Sequence, residues 1–279
     1  STAVGKLVAQ AAAANLTPVT LELGGKSPAI VDRSADLGQA MLRIAHGKLL
    51  NSGQTCIAPD YVMVSRGLAR AAAQALSLAM TKLYPTVRNN ADYTAIISPR
   101  HRQRLLDLLE DARSHGAQVM EVNPAQESFD GRTRKLPPHL VLDPTPQMRV
   151  MQEEIFGPIL PIVEYDSVDD AIAHVQAGDR PLALYWFGQD LSVRDRILNE
   201  THAGGVTIND CLWHIAQENQ PFGGIGPSGV GAYHGQWGFD RLSHLKPVFY
   251  QSRLNAGFLL RPPYGRAIEG LLRLLDRVT

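Results

Sequence analysis

Two residues carry the chemistry that this sequence offers. Cys56 ends the run Asn51-Ser52-Gly53-Gln54-Thr55-Cys56, and Glu22, 34 positions upstream, opens Glu22-Leu23-Gly24-Gly25-Lys26. A thiol attacks carbon as the thiolate, and with a free pKa of about 8.5 it needs a lowered pKa or a neighbouring base at neutral pH. Glu22 can be that proton acceptor. A carboxylate does such work when it is partly desolvated, so Glu22 is expected in a sheltered funnel. Most isolated cysteines are small buried hydrophobes, but Gly53, Gln54 and Thr55 make a tight polar loop, a poor setting for core packing. Glu22 alone would be a surface carboxylate at a strand end. Beside Gly24-Gly25, where bare backbone lets a ligand come close, catalysis is the better reading. Cys211, between Asp210 and Leu212, has no comparable context and is expected to be structural.

The two segments resemble the E-L-G-G-K-S-P and G-Q-T-C signatures of the aldehyde dehydrogenase superfamily, here Glu22 to Pro28 and Gly53 to Cys56. Glu153-Glu154-Ile155-Phe156-Gly157-Pro158 and Pro221-Phe222-Gly223-Gly224 are similar to two further motifs, in the family's order. Cys56-Ile57-Ala58-Pro59-Asp60-Tyr61 and Gly231-Ala232-Tyr233-His234-Gly235 resemble the class 3 and fatty-aldehyde branch, and within it the bacterial coniferyl aldehyde dehydrogenases. The resemblance implies NAD or NADP as cofactor and an aromatic or long-chain aldehyde as substrate. It makes Cys56 the nucleophile and Glu22 the base, with Ser1, Leu23, Gly24, His101, Glu154 and Phe156 at the cofactor and Asn209 and Phe222 at the substrate. Taken without the family, Glu154 is an ordinary charged residue, Phe156 and Phe222 are packing residues, His101 is an exposed helix-start histidine and Asn209 a strand-end residue.

Ser1-Thr2-Ala3-Val4-Gly5-Lys6 resembles the family's G-S-T-x-x-G-x motif without its first Gly, and no Met precedes it. The sequence is therefore expected to be the later part of a longer protein. Most of the dinucleotide-binding domain, and an Asn that helps bind the reacting oxygen, would lie upstream, so this stretch alone is expected to turn over slowly. The implied division is residues 1–25 as the end of the dinucleotide-binding domain, 26–232 as the catalytic domain and 233–279 as a C-terminal segment.

Alternating strands and helices must position these groups, and they predict an α/β fold, a three-layer sandwich with a mainly parallel sheet. Strands are expected over Val19 to Leu23, Ser27 to Val31, Tyr61 to Val64, Gln118 to Val122, Ile159 to Val163, Leu182 to Phe187 and Val206 to Ile208. Helices are expected from Ser1 and over Ala35 to Leu50, Leu68 to Leu83, Pro99 to Ser114, Val168 to Ala177 and Ser192 to Asn199. A helix starting at Ser1 would present unpaired N–H groups suited to a phosphate. Asn123 to Pro138 and Pro221 to Gly238 read as loops. Pro247 to Tyr250 is expected as an edge strand, which in the family pairs with a neighbouring subunit and implies a homodimer. Ile268, Leu271, Leu272 and Leu275 form the stripe of a last amphipathic helix.

The 279 residues, 44% of them hydrophobic, suffice for a substantial core. With 27 basic and 27 acidic residues the formal net charge is zero, so no global field draws nucleic acid or an anionic membrane. No apolar run approaches the ~20 residues of a membrane-spanning helix. The nine histidines show no paired metal-ligand spacing, so no metal is expected. Two cysteines fit a reducing compartment, and a cytoplasmic location is expected. Two rival functions remain: a cofactor-independent thiol esterase using Cys56 and Glu22, and a non-catalytic dimerising fragment.

Overall fold

The computed structural model describes residues 1–129, 131, 133–257 and 261–276. Helix α1 (Thr2–Ala13) leads to the short strand β1 (Leu21–Glu22), followed by β2 (Pro28–Val31), α2 (Leu37–Leu49) and β3 (Tyr61–Ser65). Next come α3 (Ala69–Leu83), α4 (Pro99–Ser114), β4 (Gln118–Glu121), β5 (His139–Leu142) and the single turn α5 (Arg149–Gln152). The chain continues through β6 (Ile159–Tyr165), α6 (Val168–Ala177), β7 (Ala183–Phe187), α7 (Leu191–Glu200) and β8 (Gly205–Ile208). It closes with β9 (Gly229–Val230), α8 (Gly235–Arg241) and α9 (Arg266–Leu275).

Every position of β2, β3, β5 and β7 is buried, as expected of strands covered on both faces. They belong to a seven-stranded sheet ordered β4-β5-β6-β3-β2-β7-β8, parallel throughout except for antiparallel β4. Strand periodicity sorts their side chains into two layers. Ala29, Val31, Val62, Val64, Tyr185 and Phe187 pack with residues of α2 and α3 on one face. Ile30, Met63, Leu184 and Trp186 pack with Ala171, Ile172 and Val175 of α6 and Ile197 of α7 on the other. Leu105, Leu108 and Leu109 of α4 extend that second layer over Val141 and Ile159. The result is the expected three-layer α/β fold with a mainly parallel sheet.

Local signals set the helix starts. Asp36 caps α2 by accepting from the Gln39 N–H at 3.0 Å, and Ser98 caps α4, with Pro99 in its first turn. Ser1 occupies the N-cap of α1 but makes no side-chain cap bond.

Three expectations are corrected, and one strand was not expected. The strand over Val19 to Leu23 shrinks to Leu21–Glu22, which pairs antiparallel with β9 as a separate ribbon. Pro221 to Gly238 is not wholly irregular, since β9 and the start of α8 lie within it. The stretch from residue 139 to 142 is a buried strand, with a polar first residue and only four positions, too few to show a period. Pro247 to Tyr250 forms no strand. Its residues are exposed, with Phe249 84% accessible, and a strand requires a hydrogen-bonding neighbour.

Residues 1–242 form one compact unit and 243–279 another. The second contains α9, where Leu272 and Leu275 are about half exposed. The side chain of Leu271, a member of the expected stripe, lies outside what the structure describes. No described helix is long and apolar enough to cross a membrane, and no cluster of metal-ligating side chains occurs among the described residues.

Candidate active site

The end of α2 and the start of β3 bracket Cys56. Leaving α2, the chain turns through Asn51 and Ser52, both with left-handed φ (52° and 55°), an uncommon conformation that clusters at functional sites. Gln54 pins the turn: its side chain donates to Asn51 O and Ala95 O, both at 3.1 Å, and accepts from the Ile97 N–H at 2.8 Å. This tethering leaves Cys56 half-buried, packed on the core at one side and open at the other.

The open side is a cavity of about 850 Å³, lined in part by Glu22, Cys56, His101, Arg104, Glu154 and Phe156. Ser1 and Leu23 line it as well. Cys56 and Glu22, so far apart in sequence, line this same cavity and interact electrostatically. Burial, then Glu22, then Glu154 raise the thiol pKa to about 12, because a thiolate here would face two carboxylates. Glu22 itself is exposed, which corrects the expected sheltered funnel: β1 has a single strand neighbour and its side chain faces the open cavity.

Glu154 lies behind, its pKa raised to about 7 by burial and by Asp60 and opposed by the Gly25 N–H. Gly24 makes room for it. At φ 103° its position has no space for a side chain, since a Cβ would stand 2.6 Å from Glu154 Oε1. Phe156, 38% exposed and at φ 51°, holds its ring at the cavity edge.

The two expected substrate residues sit elsewhere. Asn209 does not line this cavity: its amide accepts from the Gly188 N–H at 2.8 Å and donates to Gly188 O at 3.0 Å, bordering a smaller cavity of about 180 Å³. Phe222 is buried, stacked on His234 with centroids 5.7 Å apart and met edge-on by Tyr233 at 5.6 Å. Tyr233 is the member of this cluster that interacts with Glu22 and Cys56, and burial followed by those two groups raises its hydroxyl pKa. It stands in a motif quoted above, where the reasoning gave it no role.

Comparison with known proteins places the chain in a family. The profile of the aldehyde dehydrogenase family matches residues 1–248. A probable coniferyl aldehyde dehydrogenase of Caulobacter vibrioides is 52% identical over 275 residues, covering 98% of this chain and 57% of its own length. A rat protein, "aldehyde dehydrogenase, dimeric NADP-preferring", is 44% identical over 91% of this chain and 54% of its own. The substrate-bound structure of Staphylococcus aureus AldH superposes with a TM-score of 0.90 at 41% identity, over 99% of this chain and 59% of that one. The chain belongs to the aldehyde dehydrogenase family. It spans a little over half the length of these relatives.

Within this aldehyde dehydrogenase chain the motifs are mechanically interlocked. A Cβ on Gly53 would lie 2.4 Å from Gly157 O, so the cysteine loop and the Glu154 loop touch through bare backbone. Three charged residues that sequence reasoning passed over hold the second loop. Asp60 accepts from the Ile155 N–H at 2.9 Å. Lys26 pairs with Asp60 and donates to Val150 O at 2.7 Å, and Arg104 donates to Glu153 Oε2 at 3.0 Å and to Glu154 O at 3.2 Å. Lys26 and Asp60 lie inside quoted motifs, which was the available signal; Arg104 gave none.

Proposed function

We propose that this chain is the catalytic portion of an NAD(P)-dependent enzyme that oxidises an aldehyde, aromatic such as coniferyl aldehyde or long-chain, to its carboxylic acid. The observation that carries the reading is the convergence of Cys56, Glu22, Glu154 and Phe156 on one cavity. The residues fit a dinucleotide. Gly24 lets the Glu154 carboxylate lie against its backbone, the Phe156 ring is available for stacking, Glu154 suits a ribose diol and the first residues of α1 suit a phosphate. His101 and Leu23 complete that lining, and Asn209 and Phe222 act from outside it. Bound there, the nicotinamide supplies the hydride acceptor.

Cys56 Sγ attacks the carbonyl carbon while its proton passes to Glu22, since a pKa near 12 forbids a standing thiolate. The Cys56 N–H faces the new oxyanion, one donor of a hole in which each is worth ~3 kcal/mol. Loss of hydride to that acceptor would leave a thioester on Cys56; Glu22, exposed to solvent, gives the thiol proton up to bulk water and, ionised again, takes a proton from the water that releases the acid. Residues 1–25 are the end of the cofactor domain, 26–232 the catalytic domain and 233–279 the assembly segment, whose exposed Val248, Phe249 and Tyr250 suit a second copy in a homodimer. A thiol mechanism suits a reducing compartment, the cytoplasm.

In the full-length protein, Cys56→Ser should abolish NAD(P)H formation from an aldehyde, and unchanged turnover would refute the nucleophile. Glu22→Gln should act in opposite directions on two readouts. Alkylation of Cys56 at pH 8 should speed up, because a negative neighbour is gone, while acid release slows by ~10²-fold or more. Ester hydrolysis without cofactor that survives every cofactor-site substitution but vanishes in Cys56→Ala would favour the esterase instead.

A further inference from the structure

Lys48, in the last turn of α2, is 1% exposed, and its Nζ has no hydrogen-bond partner among the described residues. A bare ammonium in a core is costly, and an aliphatic residue would pack there more cheaply. Its neighbourhood supplies a reason for the charge. The Lys48 backbone carbonyl and Gly157 O both lie against Gly53, so α2 ends beside the Glu154 loop, and Lys48 interacts with Asp60, Lys26 and Glu154. Asp60 is already satisfied by Lys26 and the Ile155 N–H. Lys26, Asp60 and ionised Glu154 sum to one negative charge, and Lys48 brings the set to zero.

We propose that Lys48 is a positioning residue for cofactor binding: the buried counter-cation that keeps the Glu154 carboxylate ionised, and so able to accept from a ribose diol, at neutral pH. Without it, the least costly way to neutralise the cluster is to protonate Glu154. Burial lowers the Lys48 pKa to about 8, and burial with Asp60 raises that of Glu154 to about 7, so both are charged together only in a narrow window. The other groups facing Glu154 are the Cys56 thiol, the Ser1 amino group and the Gly25 N–H, and Arg104 binds its backbone. This inference rests on the reading that Glu154 grips the cofactor.

The test is a carboxyl-carbon NMR titration of the full chain labelled in glutamate, with Lys48→Met beside Lys48→Arg. The Glu154 midpoint should rise by about one pH unit in Lys48→Met and stay near its original value in Lys48→Arg. NAD(P) affinity at pH 7, measured by calorimetry, should fall about fivefold in Lys48→Met and recover by about pH 9, where Glu154 is ionised in both. If Lys48→Met does not fold, the coupling is read in reverse: Glu154→Gln should lower the Lys48 midpoint, since interacting sites titrate as a pair. An unmoved Glu154 midpoint in folded Lys48→Met, or an unmoved Lys48 midpoint in Glu154→Gln, overturns the proposal. A shifted Glu154 midpoint with unchanged nucleotide affinity overturns its cofactor half and, separately, the assignment of Glu154 to the ribose.

Discussion

Cys56 and Glu22 line one cavity but hang from unequal scaffolds. The thiol sits between α2 and β3, tied to a seven-stranded sheet whose central strands are buried at every position. The carboxylate sits on a ribbon of two residues, where Leu21 pairs with Val230 and Glu22 with Gly229, extended by one bond from the Leu23 N–H to Ser228 O at 3.0 Å. The proposed nucleophile is therefore placed by the hydrophobic core and the proposed base by a local backbone contact. Chemistry and stability should be separable, because different regions control them.

Gly229→Val attacks the ribbon alone. A Cβ at Gly229 would lie 2.3 Å from Leu21 O, so the β1–β9 pairing must open and carry Glu22 off the thiol. Acid release should fall by ~10²–10⁴, the range of a lost general base, while thermal unfolding stays close to the parent. Steady-state turnover that survives Gly229→Val would mean the ribbon does not place the base. Trp186→Ala attacks the sheet instead. Trp186 is 1% exposed in β7 and its loss should remove about 3–5 kcal/mol from the whole fold by denaturant titration. Cys56 should keep its alkylation rate wherever that variant remains folded.

A third experiment probes the cost of the site to the scaffold. The Glu154 pKa is raised on folding from 4.5 to about 7, so the folded state holds this proton more tightly than the unfolded chain does. The associated stability is complete below pH 4.5 and is lost as pH rises through about 7. Glu154→Gln abolishes that loss, so the variant should match the parent below pH 4.5 and exceed it above pH 7, by an amount on the order of 3 kcal/mol. A constant gap between the two unfolding curves across this range would contradict the shift.

The same contrast explains what was legible in the sequence. Strands of the large sheet announce themselves through Val, Ile and Leu in short runs, and the buried helices through Leu105, Leu108 and Leu109 or Ala72, Ala73 and Leu76 at helical spacing. Cys56 and Glu22 were legible from their motifs. The ribbon was not, since two residues have no period and β9 owes its form to Gly229 lying against Leu21. The exposure of Glu22, the removal of Asn209 from the cavity and the loop-locking by Arg104 and Asp60 arise from contacts between distant segments, which spacing cannot encode. Lys48 was hidden for a further reason: a lysine on a helix is ordinarily solvated, and only the fold reveals its burial.

The smallest effect is expected far from both scaffolds' shared edge. Ser167 caps α6 through a reciprocal box, accepting from the Asp170 N–H at 3.3 Å while Asp170 accepts from the Ser167 N–H at 2.9 Å. Helix α6 buries Ala171, Ile172 and Val175 against the second face of the sheet, so the cap contributes to that layer without touching the cavity. Ser167→Ala should cost about 1 kcal/mol in unfolding free energy and leave both thiol alkylation and acid release unchanged. A change in either rate would show that strain in the far helical layer reaches the cysteine loop through β3 and β6, and the separation between sheet and ribbon would have to be redrawn.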